Sequence, residues 1–148
     1  MASLAHSAQG TFLQKERDST PGTFDSISEL RNLRGPNRSV GDIDVTSHSS
    51  TLGTKEYKPG LLEPGAFQAD MFYVPEDTVQ DEMETDFQNR TVINWRLMIN
   101  SDGVTLGYRT GQGYVKELGD QFPSDGNMMQ RALQIKLTGP WLFTSGAP

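Results

Sequence analysis

The sequence of 148 residues contains no cysteine and only two histidines. The absence of cysteine excludes a disulfide framework, Cys-bearing zinc sites, iron–sulfur clusters and thiol catalysis. Positive charge is also scarce, since 13 Lys and Arg stand against 19 Asp and Glu, a net charge of −6 at pH 7. Proteins that grip nucleic-acid phosphates need clustered Lys and Arg, so this balance argues against such a protein.

Long apolar runs are missing as well. No run in the sequence approaches the roughly 18 residues of a membrane-spanning helix, and no extended amphipathic helix offers a surface anchor. The first ten residues lack the basic and apolar segments of a secretory signal. We therefore expect no membrane association and a protein that stays in the cytoplasm where it is made.

A chain of this length is expected to form one domain with a substantial core. We expect a single domain over 1–148, with an N-terminal arm (1–10) and a C-terminal tail (139–148). Its 15 glycines and 8 prolines predict abundant loops.

Short alternating apolar and polar runs separated by turn residues predict an antiparallel β domain. The runs at 11–16, 24–33 and 67–73 are interpreted as strands. The run 41–46 alternates cleanly, with Ile43 and Val45 on one face, and predicts a half-buried strand. The segment 47–65 is rich in Ser, Thr, Gly and Pro and predicts a long loop, which needs an explanation such as a partner that orders it.

One helix is predicted, over about 78–89. Asp77 or Thr78 can cap its first amides, and Val79, Met83 and Phe87 form an apolar stripe. After it, 93–108 predicts a hairpin with its turn at 100–103.

The glycines at 111–113 predict a further turn, and 129–139 predicts the last strand. The fold class is therefore mainly β, an antiparallel sandwich or barrel with one flanking helix.

The sequence offers no convincing catalytic site and no cofactor site. Asp42, Asp44 and His48 suggest a metal site, but an alternating strand puts both carboxylates on its solvent face. The acids around the helix lack the spacing and central glycine of a calcium loop. The glycines of 107–113 do not lead into a helix, which argues against a phosphate-binding loop.

The positive cluster is formed by Arg31, Arg34 and Arg38, which flank Gly35–Pro36–Asn37. These arginines are either solvated or pair with an acidic neighbouring subunit, because guanidinium groups suit bidentate carboxylate contacts. Seven of the 19 acids lie between Asp70 and Asp86, so the sign asymmetry that head-to-tail association needs is present.

The order of several segments resembles the major tail tube protein of long-tailed bacteriophages, or of a phage-derived particle such as a gene transfer agent. The resemblance covers about 23–143. It lies in the strand ending Asp42-Ile43-Asp44-Val45-Thr46-Ser47, the loop reaching Lys55-Glu56-Tyr57-Lys58-Pro59-Gly60-Leu61, the run Pro64-Gly65-Ala66-Phe67-Gln68-Ala69-Asp70-Met71 before the helix, and the closing strand 129–139.

This resemblance implies a structural virion protein, not an enzyme, whose six copies form a ring. Rings would stack into a hollow tail tube through which DNA passes without specific binding. Further partners would be the tape-measure, tail-terminator and baseplate or tail-tip proteins. Assembly would take place in the cytoplasm of the host bacterium.

The long loop, the N-terminal arm and the aromatic C-terminus are then expected to make contacts between subunits or rings. The candidate contact residues are Arg31, Arg34, Arg38, His48, Leu52, Lys55, Tyr57, Lys58, Leu61, Leu62, Trp141 and Phe143.

Two other functions stay open. The first is a monomeric β-sandwich module that binds a ligand such as carbohydrate on Trp95, Trp141, Tyr108 and Tyr114, although the alternation around Trp95 favours a core position. The second is an enzyme in which Asp42, Asp44 and His48 bind a metal.

Overall fold

The computed structural model describes residues 3–148. This part of the chain is mainly β, and the predicted fold class is confirmed. The strands are β1 (Phe12–Glu16), β2 (Phe24–Ser26), β3 (Leu30–Arg34), β4 (Ser39–Asp44), β5 (Tyr57–Glu63), β6 (Ala66–Phe72), β7 (Ile93–Ser101), β8 (Val104–Gln121) and β9 (Gln130–Ser145), with α1 (Thr78–Asn89) between β6 and β7.

Seven strands form one antiparallel sheet in the order β2-β1-β7-β8-β9-β6-β3. The long hairpin of β8 and β9 is its centre. β7 pairs with 104–113 of β8 only, and β6 pairs with 130–136 of β9 only. One end of the β8–β9 hairpin is therefore flanked by β7 and the other end by β6. The sheet is sandwich-like and not a closed barrel. β4 and β5 form a separate two-stranded sheet.

The core lies on one face of the seven-stranded sheet and is covered in part by α1. Trp95 is fully buried at its centre, where its Nε1 donates a hydrogen bond to the carbonyl oxygen of Gly113 at 3.1 Å. The other core residues are Leu13, Ile27, Phe67, Met71, Met83, Ile93, Leu97, Val115, Leu133, Ile135, Leu137 and Trp141.

Helix α1 has the bounds that its sequence predicts. The Asp77 carboxylate caps it by accepting hydrogen bonds from the amides of Val79 and Gln80, at 2.8 and 3.4 Å. Of the predicted apolar stripe, Met83 is buried and Val79 packs against the core, but Phe87 is exposed. The prediction for Phe87 was wrong.

A buried group of charges, the Lys15 cluster, joins α1 to the end of β1. Nζ of Lys15 lies 2.9 Å from Oδ2 of Asp86 and 3.1 Å from Oδ1 of Asp18, and Lys15 and Asp86 are both buried. Burial, with Asp18 nearby, raises the pKa of Asp86 to about 6 even though Lys15 opposes the shift. Burial lowers the pKa of Lys15, but its hydrogen bonds to Asp86 and Asp18 outweigh this and leave that pKa raised.

Two predicted segments differ in the N-terminal half. The predicted strand 24–33 is two strands, because Glu29, which lies between them, takes a positive φ of 60° that interrupts an extended chain. Asn32, with a φ of 52°, lies inside β3 where its pairing with β6 is irregular. The second half of the predicted loop 47–65 is strand β5, which pairs with β4 from Ser39↔Glu63 to Asp44↔Tyr57. The loop is limited to the connection between these strands.

The predicted turn at 111–113 is wrong, because β8 runs straight through it. This position of the strand needs a glycine, because a Cβ at Gly111 would lie 2.6 Å from the indole of Trp141. Trp141 is only 7% exposed, contacts Phe67 edge to face at 5.3 Å, and donates from Nε1 to the carbonyl oxygen of Gln112 at 3.1 Å.

Residues 139–145, predicted as a tail, are therefore the end of β9. At the other terminus, residues 3–10 form no strand and are exposed, whereas residues 1 and 2 of the predicted arm lie outside the described residues.

Gly111→Ala is expected to destabilise the fold by about 1–3 kcal/mol, because the added methyl group overlaps the Trp141 ring. Gly119→Ala in the same strand is the matched control, since its Cβ would meet only the Cβ of Ala132 at 3.8 Å. Urea denaturation of both variants measures the difference. Equal midpoints would contradict the close approach of Trp141.

Candidate subunit interface

The β4–β5 hairpin (39–63) projects from the domain and leaves its apolar residues uncovered. Every residue of β4 is exposed, and Ile43 is 52% exposed. Leu61 and Leu62 on β5 are 91% and 75% exposed. The prediction that Ile43 and Val45 sit on a half-buried face is therefore wrong for the single subunit. A hairpin with an uncovered apolar surface is typical of a protein contact site.

The tip of the hairpin is held together by its own polar groups. The Asp44 carboxylate accepts from the amide of Thr46 at 2.9 Å, and hydrogen bonds from Thr46 hold the pKa of Asp44 below its ordinary value. The hydroxyl of Ser50 donates to Glu56 at 3.0 Å. Leu52 lies in a short 3₁₀ turn at Thr51–Gly53, with a positive φ of 57° and 95% exposure. The leucine at this ordered tip is therefore exposed.

The root of the hairpin is a crossing of two backbone segments. Gly65, with a φ of 83°, follows β5, and a Cβ on it would overlap the backbone of Asn37, which precedes β4. Lys136 of β9 adds an ion pair, with its Nζ 2.8 Å from Oε1 of Glu63. The hairpin therefore leaves the domain in a fixed direction.

An open groove of about 820 Å³ lies beside this root. Its walls are the chain before and within β4, the end of β5 and the segment 139–142 of β9. Leu142 in the groove and Phe143 beyond it are exposed. The hairpin surface and the end of β9 thus form one continuous region with uncovered apolar side chains.

In addition to the outer edges at β2 and β3, two strand edges inside the seven-stranded sheet have no strand beside them in the described residues. Residues 114–121 of β8 extend beyond β7, and residues 138–145 of β9 extend beyond β6. The two edges lie on opposite sides of the β8–β9 hairpin and have similar lengths. Unpaired edges of this kind are templates for pairing with another chain.

The three predicted arginines do not act as one cluster. Arg31 stacks on the ring of Phe72 at 4.5 Å, and Arg34 donates to Gln68 at 3.4 Å. Arg38 lies in the groove, and among residues 3–148 it has no hydrogen-bond or ion-pair partner. A further arginine, Arg109, pairs in the strand ladder with Phe143, which is adjacent to Leu142 in the same groove. No sequence signal marks Arg109, because only strand pairing brings it there.

Most of the predicted contact residues are exposed on the hairpin or at the end of β9, and their role as contacts stays a prediction. His48, Leu52, Lys55, Tyr57, Lys58, Leu61 and Leu62 are all exposed on the hairpin, and Phe143 is exposed on β9. Trp141 is different, because its indole is packed inside its own subunit. It is a core residue of its own subunit, and its role as a contact stays a prediction.

The residues of the two alternative functions are not arranged as those functions require. Trp95 is fully buried and Trp141 nearly so, and these two indoles therefore offer no exposed stacking platform for a carbohydrate. Asp42, Asp44 and His48 do not form a metal-binding group, and no group of three such ligands occurs in residues 3–148. The helix within the same range is too short and polar to cross a membrane.

No protein-family model matches the sequence, and no curated protein matches it. Solved structures do match. A chain in the tail of an empty gene transfer agent particle, determined with C6 symmetry, has a TM-score of 0.79 and 18% identity, covering 95% of this chain and 100% of that one. A chain of the SPP1 tail tube has a TM-score of 0.71 and 13% identity, covering 97% and 81%.

A third match comes from the sheath-tube complex of an extracellular contractile injection system, PVC, in its extended state. Its TM-score is 0.72 at 10% identity, with 96% of this chain and 93% of that chain covered. At these identities the likeness establishes the fold. The chain has the fold found in these tail and tube assemblies, over nearly its whole length.

Proposed function

We propose that the chain is a structural virion protein, the subunit of a tail tube. Copies would form hexameric rings, and the rings would stack into a hollow tube that delivers DNA. The observation that carries the proposal is the β4–β5 hairpin, whose leucines and Ile43 are uncovered and whose direction is fixed at its root. An element built this way is suited to insertion against another copy.

Ring closure is supported by the two open strand edges. If residues 138–145 of one copy pair with 114–121 of the next, each copy uses two different edges. Such a heterologous contact forms a ring when its rotation closes. The C6 symmetry of the gene transfer agent tail supports six copies per ring.

The passage of DNA is supported by the sheet face opposite the core. Residues on this face alternate with core residues along the strands. Uncharged polar side chains such as Gln14, Gln68, Asn94, Gln112 and Gln134 are interspersed there with the acid Asp70 and the separated cations Arg96 and Lys136. Together with the net charge of −6, a wall of this kind would not release counterions from DNA. DNA would slide along it without specific binding.

The remaining partners follow from the same proposal. The tube would contact tape-measure, tail-terminator and baseplate or tail-tip proteins in the virion tail, after assembly in the cytoplasm of the host bacterium. Likeness to structures of a tail, a tail tube and a sheath-tube complex supports this setting. The proposed role needs no catalysis and no cofactor.

The purified chain is expected to form rings or tubes at high concentration, or when an initiating tail-tip complex is added, and negative-stain electron microscopy would show them. Analytical ultracentrifugation gives the number of copies per ring. Monomers under all of these conditions would contradict the proposal and favour a monomeric binding module.

A further inference from the structure

Two arginines share one place in the subunit without a carboxylate to neutralise them. Arg38 is exposed at the hairpin root, and Arg109 lies on β8 opposite Phe143 of β9, with its guanidinium 5.3 Å from that ring. No ion pair joins either arginine to an acid among residues 3–148. Burial, and then Arg38, hold the pKa of Arg109 below its ordinary value, as expected for cations that lie near each other.

Three carboxylates at the start of α1 are in the opposite situation. Glu29, Glu76 and Asp81 are exposed and have no side-chain partner in the described residues. Glu29 belongs to this place because its carbonyl oxygen accepts from the amide of Phe72, at the end of β6 that leads to α1. Other acids nearby are occupied: Asp77 caps the helix, and Asp86 joins the Lys15 cluster.

These two charged surfaces lie at opposite ends of the subunit. Gln130 of β9 pairs with Phe72, near the carboxylates, and β9 then runs past β6 to Phe143, near the arginines. At about 3.3 Å per residue, the two ends are separated by roughly 40 Å of strand. Opposite charges at opposite ends suit head-to-tail contact between copies.

We propose that the Arg38 and Arg109 pair binds the carboxylates at the start of α1, Glu29, Glu76 and Asp81, in a second copy of this chain arranged head to tail. The inference rests on the proposed tail tube function and identifies the charged contact that aligns successive copies. The occupant is a second copy and not DNA, because Arg38 shares its groove with Val40 and Leu62. Their uncovered apolar side chains suit a protein surface better than a hydrated phosphate backbone.

The test compares two charge-reversed variants of the full chain. Arg38→Glu cancels the net charge of the basic end, because Arg109 remains, and the double variant Glu76→Lys/Asp81→Lys makes the acidic end basic. Each alone is expected to raise the concentration needed for assembly by about tenfold or more, because the attraction between the two ends is lost in the first variant and becomes repulsion in the second. An equimolar mixture of the two is expected to lower this concentration again, since the two unchanged ends attract each other and the glutamate introduced at position 38 faces the lysines introduced in the other variant.

The matched control is Asp102→Lys, which reverses one charge at an exposed position in the turn between β7 and β8, outside both charged surfaces and outside the two open strand edges. It is expected to leave the assembly concentration unchanged. Light scattering and electron microscopy measure assembly, and circular dichroism melting verifies that every variant is folded.

The outcomes separate the two proposals. If the wild type forms tubes and both variants form them equally well, the charged contact is overturned and the proposed tail tube function stands. A variant mixture that fails to assemble would also overturn the contact. Normal tubes from Arg38→Glu that bind DNA less well would assign the arginines to DNA instead. A wild-type chain that never assembles would overturn both proposals.

Discussion

Removal of the β4–β5 hairpin is expected to abolish ring and tube assembly while the domain stays folded. Ser39 and Glu63 are direct partners in the strand ladder, so an Asn-Gly turn can replace residues 40–62 without moving the root. No hairpin residue belongs to the core cluster, and the ion pair of Glu63 with Lys136 is kept. The melting temperature should therefore change little.

A finer version of this experiment replaces Leu61 and Leu62 with serine. We expect at least a tenfold rise in the concentration needed for assembly, because two largely exposed leucines lose their apolar contact with the next copy. Val104→Ser is the matched control, since Val104 is also exposed but lies in the β7–β8 hairpin. Tubes of normal length from the deletion variant would show that the hairpin is not a contact.

Lys15→Met is expected to cost about 3–5 kcal/mol of folding stability, because it leaves the Asp86 carboxylate buried without its cation. The folded pKa of Asp86 is already raised to about 6, above its ordinary value. A raised carboxyl pKa means that ionised Asp86 costs stability above about pH 6 and none well below its ordinary pKa. The effect of Lys15→Met should therefore be smaller at pH 5 than at pH 8.

Urea denaturation at the two pH values measures this difference. The double variant Lys15→Met/Asp86→Leu serves as the control, since it removes both charges and should recover much of the loss. An equal loss at pH 5 and pH 8, together with additive effects in the double variant, would contradict the role of the buried pair.

Local sequence patterns predicted the elements whose contacts are local. Helix α1 has its predicted bounds because its cap, Asp77, is adjacent to it in sequence. The hairpin of β7 and β8 has its predicted turn for the same reason. The false turn at 111–113 arose because glycines mark turns in most sequences, whereas here Gly111 makes room for Trp141 from another strand. A partner so distant in sequence leaves no local signal.

The candidate interface was predictable in part. The segment 47–65 is predicted to be a loop that makes contacts, but Tyr57–Glu63 within it is strand β5, and its relation to β4 depends on pairing. The alternation of Ile43 and Val45 predicts an apolar face without indicating what covers it. The same pattern fits a face buried in the subunit and one left for a neighbour. The sequence does not predict that Arg109 lies close to Arg38, because the two are far apart along the chain and only strand pairing relates them.

The crossing of Gly65 and Asn37 at the hairpin root has a consequence for how a tube would lengthen. If the hairpin keeps in the tube the direction that its root fixes in the single subunit, docking would require no segment to fold first and would lose little conformational entropy. An incoming copy would attach as a rigid body, at a rate governed by encounter and orientation. Elongation would then be fast, and each added copy would present the same rigid attachment to the next.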